Sequence, residues 1–233
     1  MSDTESPRPK VTVDIWSDVM CPWCAIGYSQ FARAVKELAV EIEVEARWMP
    51  FELNPDMPPE GKTQAEHIGK VYQRTPEQIA EMQAGMEARA EAAGFPMSFT
   101  TASGEPAMMW NTFEAHKLLR WALAVHGPEA QGRLSEALFR AHFQQRRKIG
   151  EREVLLDIAG EQGFDRAEAA AALADDALEI ATRVEEKRGL EMGINSVPSF
   201  IVNGRYLIPG AQEPAVYAAA LRRVAEMAGA EPG

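Results

Sequence analysis

The sequence predicts an α/β fold in which a large α-helical insertion separates a second strand from a closing β-hairpin. Three observations carry this prediction. Val11-Thr12-Val13-Asp14-Ile15-Trp16 is rich in β-branched and aromatic residues, and Ile26, Phe31, Val35 and Leu38 then recur at helical spacing, giving a strand followed by an amphipathic helix. From Thr63 to Gly189 the chain carries helix starts and helix-ending glycines without a strand pattern between them. Finally, Ser199-Phe200-Ile201-Val202 and Arg205-Tyr206-Leu207-Ile208 flank Asn203-Gly204, the strongest short-range signal for a two-residue hairpin turn.

The second strand follows from alternation: Ile42, Val44, Ala46 and Trp48 interleave with Glu41, Glu43, Glu45 and Arg47, and Pro50 ends the run. Residues 54–61 read as a loop. Thr63-Gln64-Ala65-Glu66 and Thr75-Pro76-Glu77-Gln78 are capping boxes, the latter with proline at the first helical position, and Asp165-Arg166-Ala167-Glu168 is a weaker third. With Gly94, Gly127, Gly163 and Gly189 as stops, helices are expected over 63–73, 76–93, 107–126, 128–143, 151–162, 166–173 and 176–188, with a loop or hinge over 95–105. Ile79, Met82 and Met86 share one helix face and are expected to be plain core. After Pro209-Gly210, the residues Val216, Tyr217, Ala220, Leu221 and Val224 mark a closing helix from Glu213 to about Met227, and 229–233 read as a frayed tail. The division expected from this order is a discontinuous domain, 10–61 and 190–229, and an inserted helical domain, 62–189.

Composition bounds the function. The 233 residues are 46% hydrophobic and 25% charged, an ordinary globular balance with no apolar run approaching a membrane span. A formal charge of −11 and the lack of a basic stripe interleaved with aromatics argue against nucleic acid as a partner. The polar, proline-punctuated start, Met1 to Lys10, has no apolar core of a signal sequence, so a cytoplasmic location is expected.

Both cysteines of the chain, Cys21 and Cys24, fall in Met20-Cys21-Pro22-Trp23-Cys24, at the strand-to-helix junction. Chance gives that spacing about one time in a hundred, and in a reducing compartment such a pair points to redox or metal chemistry rather than a staple. With Cys21 at the N-cap and Pro22 at the first helical position, the Cys21 sulfur is expected to face the free N–H groups of Trp23 and Cys24, which favour a thiolate. Cys24, one turn inside the helix, is expected to be buried. Cys21 is thus assigned as nucleophile and Cys24 as resolving thiol. Zinc would need two further ligands, and no paired histidines at the required spacing occur, so no metal is expected.

The element order, together with Ser17-Asp18-Val19-Met20-Cys21-Pro22-Trp23-Cys24, Pro50-Phe51-Glu52-Leu53-Asn54-Pro55, Asn111-Thr112-Phe113-Glu114-Ala115-His116 and Gly193-Ile194-Asn195-Ser196-Val197-Pro198-Ser199-Phe200 with Gly210-Ala211-Gln212, resembles the thioredoxin fold with a helical insertion of the DsbA family, most closely its FrnE-like branch. The resemblance spans about Val11 to Leu221. It implies a thiol–disulfide oxidoreductase in which Pro198 follows a cis peptide bond beside the cysteine pair and Val197 offers its main chain to an extended substrate. Related enzymes with serine at the Cys21 position use glutathione for isomerisation or transfer; cysteine here favours redox.

Other residues divide between roles. Thioredoxin-like proteins often hold a buried acid that takes a proton from the second cysteine; alternation puts Asp14 on one face with Thr12 and Trp16, open to that role and to that of an ordinary strand acid. Asp18 receives no role. His116, among Trp110, Phe113 and Trp121, is expected to be a core histidine. Gln212 opens the last helix, where free N–H groups suit a carboxylate such as that of glutathione, or serves a turn. The expected function is a cytoplasmic dithiol oxidoreductase without organic cofactor or metal, exchanging protein or glutathione disulfides, with glutathione as a possible co-substrate and an external redox partner to recycle it. The rivals are a glutathione-dependent isomerase or transferase on the same fold, and a non-catalytic chaperone or binding protein.

Overall fold

The computed structural model describes residues 8–99 and 106–230; the chain start, residues 100–105 of the expected loop and the last three residues of the expected tail lie outside the described residues. Strand β1 (Lys10–Ser17) leads into α1 (Pro22–Leu38), and β2 (Glu43–Pro50) returns parallel to β1. After the insertion, β5 (Ser199–Val202) pairs antiparallel with β1, and β6 (Tyr206–Pro209) with β5, giving the sheet order β2-β1-β5-β6. The last helix, α8, runs Pro214–Ala230, so the expected tail is helical through residue 230.

Alternation along β1 decides what each face packs against. Val11, Val13 and Ile15 join Phe31 of α1, Phe200 of β5 and Tyr217 of α8 in one buried cluster. Phe31, Phe200 and Tyr217 meet as an aromatic trio with ring centroids 4.9–5.6 Å apart, a geometry that adds to the burial of large rings. Trp16 faces the other way, with Met49, Ile194 and Ile201.

The insertion holds α2 (Gln64–Tyr72), α3 (Pro76–Ala92), α4 (Phe113–Phe143), α5 (Arg152–Glu161), α6 (Arg166–Leu173) and α7 (Asp176–Glu191). Thr63 and Thr75 close reciprocal capping boxes with Glu66 and Gln78, and Asp165 caps α6 through the N–H groups of Ala167 and Glu168. Three expectations are corrected. The helix expected from 107 begins at Phe113, because Met108–Met109 (β4) instead pairs with Lys62–Thr63 (β3) in a two-stranded ribbon too short to leave a period in the sequence. Gly127, at φ 84°, breaks α4 as expected, but Gly189 does not end α7. It lies within the helix, packed on Trp16 so closely that a Cβ would sit 2.4 Å from the indole, and Gly193, at φ 81°, turns the chain instead. Lastly, the hairpin loop has three residues, since Val202 pairs with Tyr206 and Asn203, Gly204 and Arg205 lie between them, the Arg205 N–H donating to Val202 O at 3.0 Å.

The insertion shares its core with the sheet. Ala90, Phe95, Phe139 and Phe143 belong to the same buried cluster as β1 and α1. β2 is an edge strand, and α4 covers it: the buried Gln131 side chain accepts from Trp48 N–H at 2.8 Å and donates to Trp48 O at 2.8 Å, so one carboxamide replaces a missing strand neighbour. Among the described residues no helix is long and apolar enough to cross a membrane.

Candidate active site

The cysteine pair sits where β1 hands over to α1. Cys21 is the N-cap residue, extended at φ −82° and ψ 115°, with Pro22 opening the helix. The Cys24 N–H donates to the Cys21 carbonyl at 3.0 Å and the Ala25 N–H to the same oxygen at 3.2 Å. This corrects the expected capping: the first-turn donor goes to the main chain, and the Cys21 sulfur receives no cap hydrogen bond. Its S–H points instead across the chain to the Val197 carbonyl, 3.8 Å away.

Cys24 is 1% exposed. Burial first, and then the neighbouring Cys21 sulfur, push its thiol well above the ordinary cysteine value, while the Ser17 hydroxyl and the Asp18 N–H oppose the rise. Cys21 is buried too, at 4%, and what separates the two residues is access to a cleft. Cys21, with Pro22 and the 41% exposed Trp23, borders an open cleft of about 840 Å³, whereas Cys24 is not among its lining residues.

The Val197–Pro198 peptide is cis. Pro198 is buried against Gly27 of α1, where a Cβ would lie 3.0 Å from the proline Cγ and 3.3 Å from Ala211 Cα. Absence of a side chain at Gly27 thus lets the Val197-Pro198 turn and the Gly210-Ala211-Gln212 turn both close on the helix that carries the cysteines. Gln212 itself donates from its carboxamide to Pro209 O at 2.6 Å, and its N–H donates to the Tyr217 hydroxyl at 3.2 Å. Those bonds hold the turn.

Of the two acids, Asp14 is remote from the thiols by face. It lies on the Trp16 side of β1, hydrogen-bonded to Arg47 Nε at 2.8 Å, with burial raising its pKa against the pull of Arg47. Asp18, to which the sequence assigned nothing, is 1% exposed and accepts the N–H of Met20 at 3.1 Å and of Leu53 at 2.8 Å. Burial raises its carboxyl to about 6, opposed by those two N–H groups and the Thr112 hydroxyl. His116 is buried with Nε2 4.0 Å from Asp18 Oδ1 and is lowered to about 4 by burial, against a bond to the Phe51 carbonyl. The two central motifs quoted above also meet: Asn111 Nδ2 reaches Glu52 Oε1 at 3.3 Å, and Arg183 bridges Glu52 and Glu186. Ser17, Asp18 and Thr112 are thus the neighbours that sequence reasoning passed over; Ser17 and Asp18 were visible as polar residues beside a cysteine pair.

Opposite Cys21 the cleft is walled by α2, α3, β4 and the segment after α4. Met82 is 46% exposed and lines it, so its assignment to the core is corrected; Ile79 is buried as expected, and the half-buried Met86 borders the cleft while packing against the core cluster of β1 and α1. Among the described residues no group of three His, Cys, Asp or Glu side chains is arranged to hold a metal ion.

A dithiol at the start of the first helix, closed over by a cis-proline turn on a four-stranded mixed sheet, defines a thioredoxin-fold protein with helices inserted after β2. The model of the DsbA-like thioredoxin domain matches residues 12–222, and the chain belongs to that family of thiol–disulfide oxidoreductases. It is 30% identical to the Bacillus subtilis (strain 168) protein YwbO over 91% of this chain and 96% of that one. It is similar to the crystal structure of a probable DsbA oxidoreductase, SCO1869 from Streptomyces coelicolor, with a TM-score of 0.81 at 28% identity, covering 96% of this chain and 92% of that one. The fold is also that of the cytosolic disulfide reductase DsbM from Pseudomonas aeruginosa, solved with GSH, with a TM-score of 0.61 at 21% identity over 92% and 99% of the chains.

Proposed function

We propose that this chain is a cytoplasmic dithiol oxidoreductase of the FrnE-like branch. Cys21 attacks or is attacked by an incoming sulfur, and Cys24 resolves the mixed disulfide. The observation that carries the reading is an asymmetry of access: both thiols are buried, Cys21 at 4% and Cys24 at 1%, but Cys21 lines the cleft and Cys24 lies one turn behind it. A thiol raised by burial is a poor first nucleophile, yet it can displace a substrate once the target sulfur is covalently attached to its neighbour. The Ser17 hydroxyl and Asp18 N–H supply donors to the Cys24 sulfur as it takes charge. Val197 offers its main chain to a substrate segment, Pro198 and Trp23 flank the reacting sulfur, and Gln212 borders the docking turn. Pro22 opens the helix on which both thiols ride.

The reaction needs no organic cofactor or metal. Its partners are protein or glutathione disulfides together with an external thiol or disulfide that restores the enzyme, since no third cysteine is present to do so. Residues 10–61 with 190–229 form the redox unit in this reading, and 62–189 the helical cover. Insulin reduction with dithiothreitol tests it. The wild type should accelerate precipitation of the insulin chains and Cys21→Ser should not; a wild type no faster than Cys21→Ser contradicts the proposal.

A further inference from the structure

The dithiol reading leaves the composition of the cleft unused. Its walls are largely apolar and rich in methionine, with Met20 next to Cys21 in the chain and Met82, Met86, Met108 and Met109 on the walls opposite. Unbranched thioethers adapt to irregular apolar ligands, and about 840 Å³ lies in the range of small-molecule sites. Past the end of α4 the wall carries Arg146-Arg147-Lys148, a basic run in a chain of formal charge −11.

Two of these cations are matched. Arg147 Nη1 meets both Glu161 carboxylate oxygens, at 2.7 and 2.9 Å, and Lys148 Nζ lies 3.3 Å from Glu151. Arg146 forms no ion pair among the described residues. Its guanidinium donates to the main-chain oxygen of Ser98, and the acid close enough to act on it, Glu87, accepts the Phe99 N–H at 2.6 Å. Its backbone is left-handed at φ 60°, a costly conformation for a side chain of this size. Glu60, the acid among the described lining residues, stands on the loop before β3.

We propose that the cleft takes a small disulfide or dithiol carried on an apolar body that ends in an acid group, the sulfur meeting Cys21 and the acid meeting Arg146. The proposal rests on the dithiol reading above. With a dithiol substrate and the oxidised enzyme, a substrate thiolate attacks the Cys21 sulfur, the Cys21–Cys24 bond breaks and Cys24 leaves as a thiolate that takes a proton. The second substrate thiol, as its thiolate, then attacks the substrate sulfur of the mixed disulfide, closes the substrate disulfide and releases Cys21. Two electrons pass to the enzyme, and the substrate supplies both.

Dihydrolipoate and dihydrolipoamide test this, because they share dithiol and chain and differ in ending as an acid or a neutral amide. Each, in excess, is mixed with previously oxidised enzyme, and the return of free thiols is timed. Dihydrolipoate should react about ten-fold faster at low salt, through tighter binding, and high salt should erase most of that preference. Arg146→Gln should abolish the preference and Arg146→Lys keep most of it, while Arg140→Gln, in the last turn of α4 and paired with Glu136, should leave it intact. Equal rates for the two probes in the wild type, or an Arg146→Gln variant that slows both alike, would overturn the proposal; the salt series on the wild type decides the matter even if Arg146→Gln does not fold. Enzyme reduced by dithiothreitol and by neither probe overturns this inference alone, and enzyme that dithiothreitol does not reduce overturns the dithiol reading as well.

Discussion

The Asp18 carboxylate accepts the main-chain N–H groups of Met20 and Leu53, so one buried acid ties the residue before Cys21 to the loop that follows β2. Both of those residues line the cleft. The acid therefore holds the wall of the cleft beside Cys21 from behind.

That placement has a pH signature, shared with His116. An acid raised from 3.8 to about 6 in the folded state binds more protons folded than unfolded, so its contribution favours folding as pH falls from 6 to 4. A histidine lowered from 6.5 to about 4 does the reverse: its contribution is complete above 6.5 and is lost as pH falls toward 4. The windows overlap and the two effects offset. His116→Gln removes the second alone, so its stability relative to wild type should rise by roughly 3 kcal/mol between pH 7 and pH 4. Urea unfolding at the two pH values measures this; a difference that does not change with pH contradicts it.

Two glycines within helices should respond to alanine with opposite sign. Alanine is the better helix former by about 1 kcal/mol. At Gly160 in α5 nothing lies within 4 Å of the added methyl, and the variant should gain up to that amount. At Gly189 the methyl meets the Trp16 ring, and the variant should lose about 2–3 kcal/mol net. Urea midpoints that shift the same way for both would contradict the packing described for α7.

Gly27 couples packing to activity. A side chain there must push the Pro198 ring and Ala211 off α1. Gly27→Val should cost about 2 kcal/mol of stability and lower kcat/KM for insulin reduction by at least about ten-fold, because the Val197-Pro198 turn moves away from Cys21. A folded variant with wild-type kcat/KM would show that this turn does not dock the substrate.

The sequence was most informative where physics is local. Thr63 and Thr75 mark their helices because a capping box is complete within four residues, and β1 and β2 are visible because one face of each carries β-branched or aromatic side chains at period two. Cys21 and Cys24 were legible by rarity and spacing. What was missed depends on partners far along the chain. Gly189 looked like a stop because nothing nearby reveals that Trp16, 173 residues earlier, occupies the space of its missing side chain. Met82 looked like core because its helix face is apolar, whereas that face borders a cleft. Asp18 and Asp14 were separable only once the sheet set which acid turned toward α7 and which toward the cysteine loop.

Trapping reads the division of labour between the two thiols in a single experiment. Cys24→Ser and Cys21→Ser are each exposed to the same oxidised protein substrate and to oxidised glutathione, and the products are read by intact mass and non-reducing electrophoresis. Cys24→Ser should accumulate the covalent adduct, since Cys21 borders the cleft and the resolving sulfur is gone, while Cys21→Ser should accumulate almost none. Equal trapping by the two variants, or trapping by Cys21→Ser alone, would contradict the account.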